Sequence, residues 1–283
     1  MGHTVGHGVG LDKTVGYNRL MTQFLLTNDD GIESPGLALL RRSLDPLGDV
    51  LTVAPAYDAS GVARSITIGR PLKLEHVRFG DDFEGIALLG TPVDCARVAM
   101  LGVLGPLPDV IVSGVNFGGN MGNDVTYSGT VGAALEGALV GLPGVAISIE
   151  QSSPRYLESM ESLLTALVER LILAPLPRGV ALNVNLPDVP AGRLRGAKVT
   201  SLGGSSCYDR LVLQSDDGVR GEYGIVCERA PVEPWAANDF EAVAEGYVSL
   251  TPLQFDLTSR EGLASLAAWP VGDLLRAART TAG

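Results

Sequence analysis

The amino-acid sequence predicts an α/β protein built around a doubly wound, mostly parallel β-sheet. Short apolar runs alternate with segments of helical periodicity, and the connections between them are short, which indicates a parallel sheet with helices on both faces. The composition agrees, because 46% of the residues are apolar, 19% are charged and 36 are glycine. At 283 residues, the chain is long enough for one large domain with an extension.

The predicted elements follow one another in βα order up to about residue 187. Apolar runs that stop at turn residues predict strands at 23–27, 50–54, 86–89, 110–112, 145–149 and 182–186. N-capping residues ahead of apolar segments predict helices at 37–44, 92–104, 131–140 and from Ser153 and Pro154 to about Leu173. Residues 65–74 are expected to be extended, and His76 is placed in an edge strand with a structural role. In such sheets ligands bind outside the carboxyl ends of the strands.

The pattern changes after residue 187. Short strands separated by Asp-Asp-Gly and Gly-rich turns predict hairpins that leave the main body, at 198–202, 211–214, 223–227 and 247–251. An arm of this kind often serves a partner subunit. The predicted organisation is a tail or tag at 1–20, an α/β catalytic core at 21–187, a β-rich extension and oligomerisation arm at 188–258, and a C-terminal helix at 259–283.

Two adjacent aspartates end the first predicted strand. Asn28, Asp29, Asp30 and Gly31 follow its apolar run directly. Carboxylates at the end of a buried strand need a partner, and a divalent cation is a good one. Neighbouring strand residues point to opposite faces, so Asp29 and Asp30 share a site only if the backbone turns, which Gly31 permits. Taken alone, this segment is equally compatible with a solvated Asp-Asp-Gly turn.

A loop rich in glycine and asparagine follows the strand at 110–112. Its glycines let the backbone approach a ligand closely, and its asparagines supply oxygen ligands or amide donors. Ser128, Gly129 and Thr130 then open a helix, where free N–H groups and two hydroxyls predict a phosphate cradle. Ordinary N-capping by Ser128 is the alternative interpretation.

Four oxygen-bearing side chains fall at predicted strand ends and form the predicted metal-ligand set: Asp29, Asp30, Ser60 and Asn116. Hard oxygen ligands of this kind suit one Mg²⁺ or Mn²⁺ ion. We predict that a water on this ion, its pKa lowered, attacks a phosphorus atom held at the predicted phosphate-binding set of Asn116, Ser128, Gly129 and Thr130. Asp29 and Asp30 are the predicted catalytic residues, because a carboxylate beside the ion can act as the general base.

Several classes of protein are excluded by what the sequence lacks. A net charge of −11 argues against binding to a nucleic-acid polymer, and no apolar run is long enough to predict a membrane span. There is no Walker-type nucleotide loop and no G-x-S-x-G motif. With three histidines, two of them in the tail, a Ser-His-Asp hydrolase is disfavoured. The three cysteines show no paired spacing, which predicts a cytoplasmic protein without a zinc site.

The motifs together resemble the SurE (survival protein E) family. The resemblance spans about residues 21–258, and it is carried in order by LLTNDDG (25–31), VAP (53–55), SG (60–61), GTPVDC (90–95), SGVN (113–116), NMG (120–122), DVTYSGTVGAA (124–134), EGYVSLTP (245–252) and DLT (256–258). Three positions depart from the family pattern: Arg64, the 203–205 segment without its arginine, and Asn238. These positions affect the expected substrate preference and arm contacts.

The resemblance implies a Rossmann-like core and a metal-dependent phosphatase of nucleoside 5′- and 3′-monophosphates, with short polyphosphate as a further substrate of some members. It also implies an arm exchanged in a homodimer or homotetramer. The family's metal and phosphate motifs fall on the same residues of this chain that the chemistry predicts. Two alternatives stay open: a non-catalytic nucleotide- or metal-binding regulator, and a metal-assisted glycosyltransferase.

Overall fold

The structure is a computed structural model and describes residues 21–204, 207–216, 220–229 and 238–269. Its strands are β1 (Thr22–Thr27), β2 (Gly48–Pro55), β3 (Leu74–Phe79), β4 (Phe83–Leu88), β5 (Val110–Phe117), β6 (Gly144–Ile149), β7 (Val180–Leu186), β8 (Ala197–Val199), β9 (Cys207–Asp216), β10 (Gly221–Arg229) and β11 (Val248–Gln254). Its α-helices are α1 (Pro35–Leu44), α2 (Pro92–Met100), α3 (Gly129–Leu139), α4 (Glu161–Leu173), α5 (Asp239–Ala244) and α6 (Arg260–Ala267).

The predicted fold class is confirmed. A nine-stranded sheet runs in the order β3-β4-β2-β1-β5-β6-β7-β11-β8, and the block from β4 to β7 is parallel throughout. The edge strand β3 pairs antiparallel with β4, and β11 pairs antiparallel with β7. The strand order reverses direction between β1 and β5, so the crevice where ligands bind in such sheets lies at their carboxyl ends.

Helices cover both faces of the sheet. Helices α1 and α4 pack together on one face, and α2 and α3 pack together on the other. Apolar side chains fill both interfaces, with Phe24, Leu26 and Leu37 on the α1 side and Leu25, Val53 and Ile111 on the α2 side. Neighbouring side chains of β1 are therefore buried on opposite faces of the sheet, and for this reason the sequence of the strand is one continuous apolar run.

The helix starts follow from capping chemistry. Ser34 caps α1 through a hydrogen bond from the Gly36 amide, and Pro35 takes the first helical position. Thr91 and Asp94 form a reciprocal capping box at the start of α2. The Ser128 hydroxyl accepts from the Val131 amide and caps α3. Three helices thus begin where the sequence predicts, and two of them begin at the carboxyl edge next to β1.

Four predicted elements need correction. The helix expected from Ser153 and Pro154 begins only at Glu161, because the Asp188 carboxylate accepts from the amides of Arg155 and Tyr156 and holds that segment as a loop. Helix α2 ends at Met100 instead of residue 104, just before Gly102 enters the left-handed region with φ of +73°. The strand predicted at 110–112 continues to Phe117, so Asn116 lies at the end of β5 and not in the loop after it. Residues 65–73 belong to no helix or strand, and the Thr67 amide donates to Asp94.

Beyond residue 187 the chain both extends the main sheet and leaves it. Strands β8 and β11 join the nine-stranded sheet, whereas β9 and β10 form a separate two-stranded antiparallel hairpin. The predicted C-terminal hairpin is therefore present, but the prediction that the segments at 198–202 and 247–251 also leave the main body is wrong, because β8 and β11 pair within the main sheet. Helix α6 is described to Ala267, and the rest of the predicted terminal helix and the whole 1–20 tail lie outside the described residues. Within the described ranges, every helix is too short or too polar to cross a membrane.

Candidate active site

The chain turns sharply after β1, and the two aspartates lie in that turn. The Asn28 side-chain amide donates to the Gly31 carbonyl oxygen at 2.8 Å and closes the turn. Gly31 has φ of +94°, a conformation that other residues adopt only with strain. The Ile32 amide then donates to the Pro55 carbonyl oxygen at 2.9 Å, which ties the turn to the end of β2. The backbone therefore changes direction at Gly31, as predicted.

Asp29 is buried against the start of α3. Its carboxylate accepts a 3.0 Å hydrogen bond from the Thr130 amide and another from the Thr130 hydroxyl. A Cβ atom at Gly129 would lie 3.0 Å from the Asp29 Cβ, so the glycine makes this close approach possible. Burial raises the pKa of Asp29 above its ordinary value, although the hydrogen bonds from Thr130 lower it. Both Thr130 donors thus serve Asp29 in this structure.

Asp30 faces the end of β5. Its carboxylate accepts from the Phe117 amide at 3.3 Å, one residue after Asn116. The register of β5 and β6 shifts between Ser113 and Asn116, an irregularity that re-aims the following side chains. The Asn116 side-chain nitrogen donates to the Gly118 carbonyl oxygen at 2.6 Å, so the amide presents its oxygen in another direction. Burial and the neighbouring Asp29 charge raise the pKa of Asp30 to about 7.

The third segment of the site is the loop at residues 57–65, which we call the Ser60 loop. The Ala59 amide donates to the Asp29 carbonyl oxygen at 2.8 Å, so the loop is bonded directly to the aspartate turn. The Ser60 hydroxyl and amide both donate to the Asp58 carboxylate, at 2.6 and 2.8 Å. Asp58 also raises the pKa of Asp30 through its charge. The sequence argument missed Asp58, although an Asp two residues before a Ser is a common turn pattern.

The four predicted ligand positions therefore belong to segments that contact one another. Asp29 and Asp30 share the turn, Asn116 precedes the amide that Asp30 accepts from, and Ser60 follows the amide that donates to Asp29. No Lys or Arg forms an ion pair with either aspartate within the described residues. One buried and one half-buried carboxylate, with a hydroxyl and an amide oxygen on the adjoining segments, make a donor set that fits a hard divalent cation.

The structure locates no cluster of three or more His, Cys, Asp or Glu side chains suited to a metal ion among the residues it describes. The predicted set contains two such residues, and its other two ligands are a hydroxyl and a side-chain amide. Oxygen atoms of these kinds bind Mg²⁺ and Mn²⁺ but not structural zinc, which prefers Cys and His. The residues present thus fit the predicted class of ion.

A buried hydrogen-bond network holds the loop that carries Asn116. We call residues 116–124 the Asn120 loop. The Asn120 amide donates to the Asn185 side-chain oxygen at 2.8 Å, and its side chain donates to the Ser148 hydroxyl at 2.8 Å. The Asn120 carbonyl oxygen accepts from the side chains of Asn183 and Asn185, at 2.8 and 3.0 Å. The sequence argument missed this network, because its members lie on three separate segments.

Arg64 connects the Ser60 loop to two other elements. Its guanidinium forms an ion pair with Glu136 of α3 and lies 4.1 Å from the centre of the Phe255 ring, just after β11. The Arg64 side chain also passes Gly132, where a Cβ atom would lie 2.8 Å from the arginine Cγ. Arg64 was noted in the sequence only as a departure from the family pattern. In the structure it attaches the exposed loop to the helix that contacts Asp29.

Comparisons with known proteins point to one family. A family model described as "Survival protein SurE" matches residues 24–209. A curated protein named 5′-nucleotidase SurE from Rubrobacter xylanophilus is 43% identical over 262 residues, covering 89% of this chain and 99% of the relative. Another of the same name, from Methylococcus capsulatus, is 41% identical over 248 residues and covers 88% and 97% of the two chains.

A solved structure is similar as well. The crystal structure of SurE protein from Aquifex aeolicus has a TM-score of 0.74 and 36% sequence identity to this chain. The match covers 86% of this chain and 97% of the Aquifex chain. The likeness in sequence and in fold therefore extends over the whole α/β body.

Proposed function

The chain belongs to the SurE family, and from that premise we propose that it is a divalent-metal-dependent 5′-nucleotidase that releases phosphate from nucleoside monophosphates. The observation that carries the proposal is the meeting of four segments at one sheet edge. The turn with Asp29 and Asp30, the Ser60 loop, the end of β5 with Asn116 and the start of α3 are joined there by hydrogen bonds.

Asp29, Asp30, Ser60 and Asn116 would hold one Mg²⁺ or Mn²⁺ ion at this edge. Such an ion supplies Lewis acidity and lowers the pKa of a bound water. Thr130 orients the Asp29 carboxylate through two hydrogen bonds, and Phe117 orients Asp30 through one. These bonds hold both aspartates in place before any ligand arrives, which is the preorganisation that catalysis requires.

Substrate phosphate is proposed to bind at the set Asn116, Ser128, Gly129 and Thr130. Because both Thr130 donors are bonded to Asp29, the side-chain donor offered to phosphate at the helix start is the Ser128 hydroxyl. The Ser128 hydroxyl accepts from the Val131 amide, so its proton is directed away from the helix and can be donated to a phosphate oxygen. The start of α3 adds the positive end of a helix of 11 residues. Ser128 therefore combines the capping role with the phosphate role, which were alternatives at the level of the sequence.

The finer points of the proposal rest on the family resemblance. One exception is the cytoplasmic location, which is proposed from the three cysteines and their lack of paired spacing. The others are activity on 3′-monophosphates and short polyphosphate, and a homodimer or homotetramer formed through the hairpin arm. The β9–β10 hairpin supports the last point, because Leu211, Tyr223 and Ile225 expose most of their side chains outside the main sheet. Light scattering on the full chain tests it, and a monomer at micromolar concentration would contradict it.

Phosphate release from AMP and GMP tests the activity. We expect turnover with added Mn²⁺ or Mg²⁺, loss of turnover with EDTA and recovery when metal is restored. A protein that binds AMP but releases no phosphate with any of these metals is the non-catalytic regulator instead. Parallel assays with 3′-AMP and tripolyphosphate decide the finer substrate range.

A further inference from the structure

A cavity of about 660 Å³ opens beside the candidate active site, and we call it the Tyr57 cavity. Tyr57, Asp58 and Ala59 of the Ser60 loop form one wall, and Thr91 at the start of α2 lies in another. The Ala59 amide donates to the Asp29 carbonyl oxygen. The cavity and the aspartate turn therefore share a wall, and a substrate whose phosphate lies at the turn can extend into the cavity.

The lining of the Tyr57 cavity suits a flat aromatic group that carries hydrogen-bond acceptors. Its apolar members include Val62, Pro71 and Leu88, whereas Arg70 and Lys73 add cationic N–H donors. A mostly apolar pocket with a few polar groups is typical of a site for a small organic ligand. Neither Arg70 nor Lys73 forms an ion pair within the part of the chain that the structure describes.

Tyr57 is a suitable stacking surface because its backbone is fixed and its ring is free. A Cβ atom at Gly31 would lie 3.1 Å from the Tyr57 carbonyl carbon, so the aspartate turn packs directly on the Tyr57 backbone. The Tyr57 side chain, in contrast, is 76% exposed. The Tyr57 backbone is therefore fixed beside the aspartate turn, and its exposed ring is accessible to a ligand.

A second cavity, of about 590 Å³, lies beyond β6 and β7 and also contains a tyrosine, Tyr156. Its lining is more polar and includes Glu150 and Asp188. The Asp188 carboxylate already accepts from the amides of Arg155 and Tyr156. Tyr156 is 39% exposed, roughly half as much as Tyr57. This cavity offers a smaller ring surface beside acidic groups, and Tyr156 is therefore a matched control.

We propose that the base of the nucleotide substrate binds in the Tyr57 cavity, stacked on the Tyr57 ring, with Arg70 and Lys73 donating to acceptor atoms of the base. The proposal rests on the proposed nucleotidase function and adds a specificity-determining residue to it. Tyr57 raises kcat/KM for a nucleotide relative to a sugar phosphate that has no base. Stacking tolerates any base, whereas N–H donors favour bases rich in acceptors, as guanine is.

The test compares substrates with and without a base. The quantity measured is kcat/KM for AMP and GMP divided by kcat/KM for ribose 5-phosphate, in the full-length wild type and in the Tyr57→Ala, Tyr57→Phe and Tyr156→Ala variants. Loss of one stacking partner predicts about a tenfold fall of this ratio in Tyr57→Ala. Tyr57→Phe keeps the ring and should keep the ratio, and Tyr156→Ala should match the wild type. Thermal melting of each variant checks that the fold is intact.

A binding measurement separates this proposal from the proposed function. Calorimetric titration of AMP and of ribose 5-phosphate gives the same ratio from dissociation constants without turnover. If the wild type releases no phosphate, the nucleotidase assignment fails, and the binding ratio still decides the role of Tyr57. A wild-type ratio in Tyr57→Ala overturns the role of Tyr57, and so does an equal loss in Tyr156→Ala.

Discussion

The Asn120 loop and the Ser60 loop flank the same pair of aspartates but are held in different ways. In the Asn120 loop, Asn120 is buried. Its amide, its carbonyl and its side chain are hydrogen-bonded to Ser148 on β6 and to Asn183 and Asn185 on β7. In the Ser60 loop, Ser60 is exposed and bonds within its own turn to Asp58. The first loop is positioned by side-chain hydrogen bonds to the core of the sheet. The second is positioned by its own turn, by one backbone hydrogen bond from Ala59 to Asp29 and by the contacts of Arg64.

The two loops therefore differ in how freely their residues can change. Buried hydrogen bonds between strands are costly to leave unmade, so the Asn120 loop cannot change without loss of stability. Contacts on the surface are worth little individually, so the Ser60 loop can change its residues at small cost. Tyr57, which lines the cavity beside the site, and Arg64, which departs from the family pattern, both belong to the Ser60 loop.

The largest expected effect is at Asp29, which is hydrogen-bonded both to the start of α3 and to the Ser60 loop. The Asp29→Asn variant should lose at least about a hundredfold in kcat/KM for AMP, because a charge that stabilises the reacting centre is removed. Its melting temperature should stay near that of the wild type, since the asparagine oxygen can still accept from the Thr130 amide. Asp58→Asn, an isosteric change in the exposed loop, is the control and should cost much less. Full activity of Asp29→Asn at limiting Mn²⁺ would refute the assigned role.

The next effect tests the hydrogen bonds that hold the Asn120 loop. Asn185→Ala removes the acceptor of the buried Asn120 amide and one donor to the Asn120 carbonyl. It should lower the free energy of unfolding by about 2–4 kcal/mol, from unpaired buried groups and a small cavity. Urea denaturation measures the change, and the exposed Ser60→Ala should stay within about 0.5 kcal/mol of the wild type. Equal losses in the two variants would show that the loops are held alike.

A third effect depends on pH and concerns the segment after the Ser60 loop. Burial raises the pKa of Asp94, but hydrogen bonds from Thr67 and Thr91 lower it by more, so the net shift is below its ordinary value of 3.8. A lowered pKa means that the folded state favours the ionised form. Asp94 therefore stabilises the fold above that value, and this stabilisation is lost as the pH falls through the folded pKa.

The Asp94→Asn variant measures that contribution. At pH 7 its free energy of unfolding should be lower than that of the wild type by about 1.5–3 kcal/mol, the range for hydrogen bonds to a charged group. The difference should shrink below pH 3.8, where the wild-type carboxyl becomes protonated. Urea titrations at several pH values give both numbers. A difference that stays constant down to pH 2 would contradict this account.

The smallest effect tests the attachment of the Ser60 loop. Arg64→Ala removes the ion pair with Glu136 and the contact with the Phe255 ring, and should lower the free energy of unfolding by about 1 kcal/mol. Because the loop loosens while the aspartates stay in place, KM for AMP should rise more than kcat falls. Arg64→Lys keeps the charge without the planar group, so its free energy of unfolding and its KM should lie between those of the wild type and of Arg64→Ala. An unchanged KM in Arg64→Ala would show that the loop needs no such attachment.

The sequence predicted those parts of the site that follow from local patterns. The sharp turn at Gly31 and the helix starts at Ser34, Thr91 and Ser128 are each specified by a few adjacent residues. The failures also have a local cause. The Ser153-Pro154 pair looks like a helix start, but Asp188, 33 residues away from Arg155, competes for the backbone amides there. Local rules contain no information on such a distant partner.

By itself, the sequence predicted that the segments bearing Asp29, Asp30, Ser60 and Asn116 would share one edge of a parallel sheet. The alternation of strands and helices makes the strands parallel, and the carboxyl ends of parallel strands lie at the same edge. Only the tertiary structure decided which groups at this edge contact the aspartates and where a cavity lies beside them. It gave the Thr130 donors to Asp29 across 101 residues of chain, and it placed Tyr57 on a fixed backbone beside an open cavity. Hydrogen bonds and cavities depend on atomic positions in segments far apart in the chain, and those positions are set only when the segments pack together.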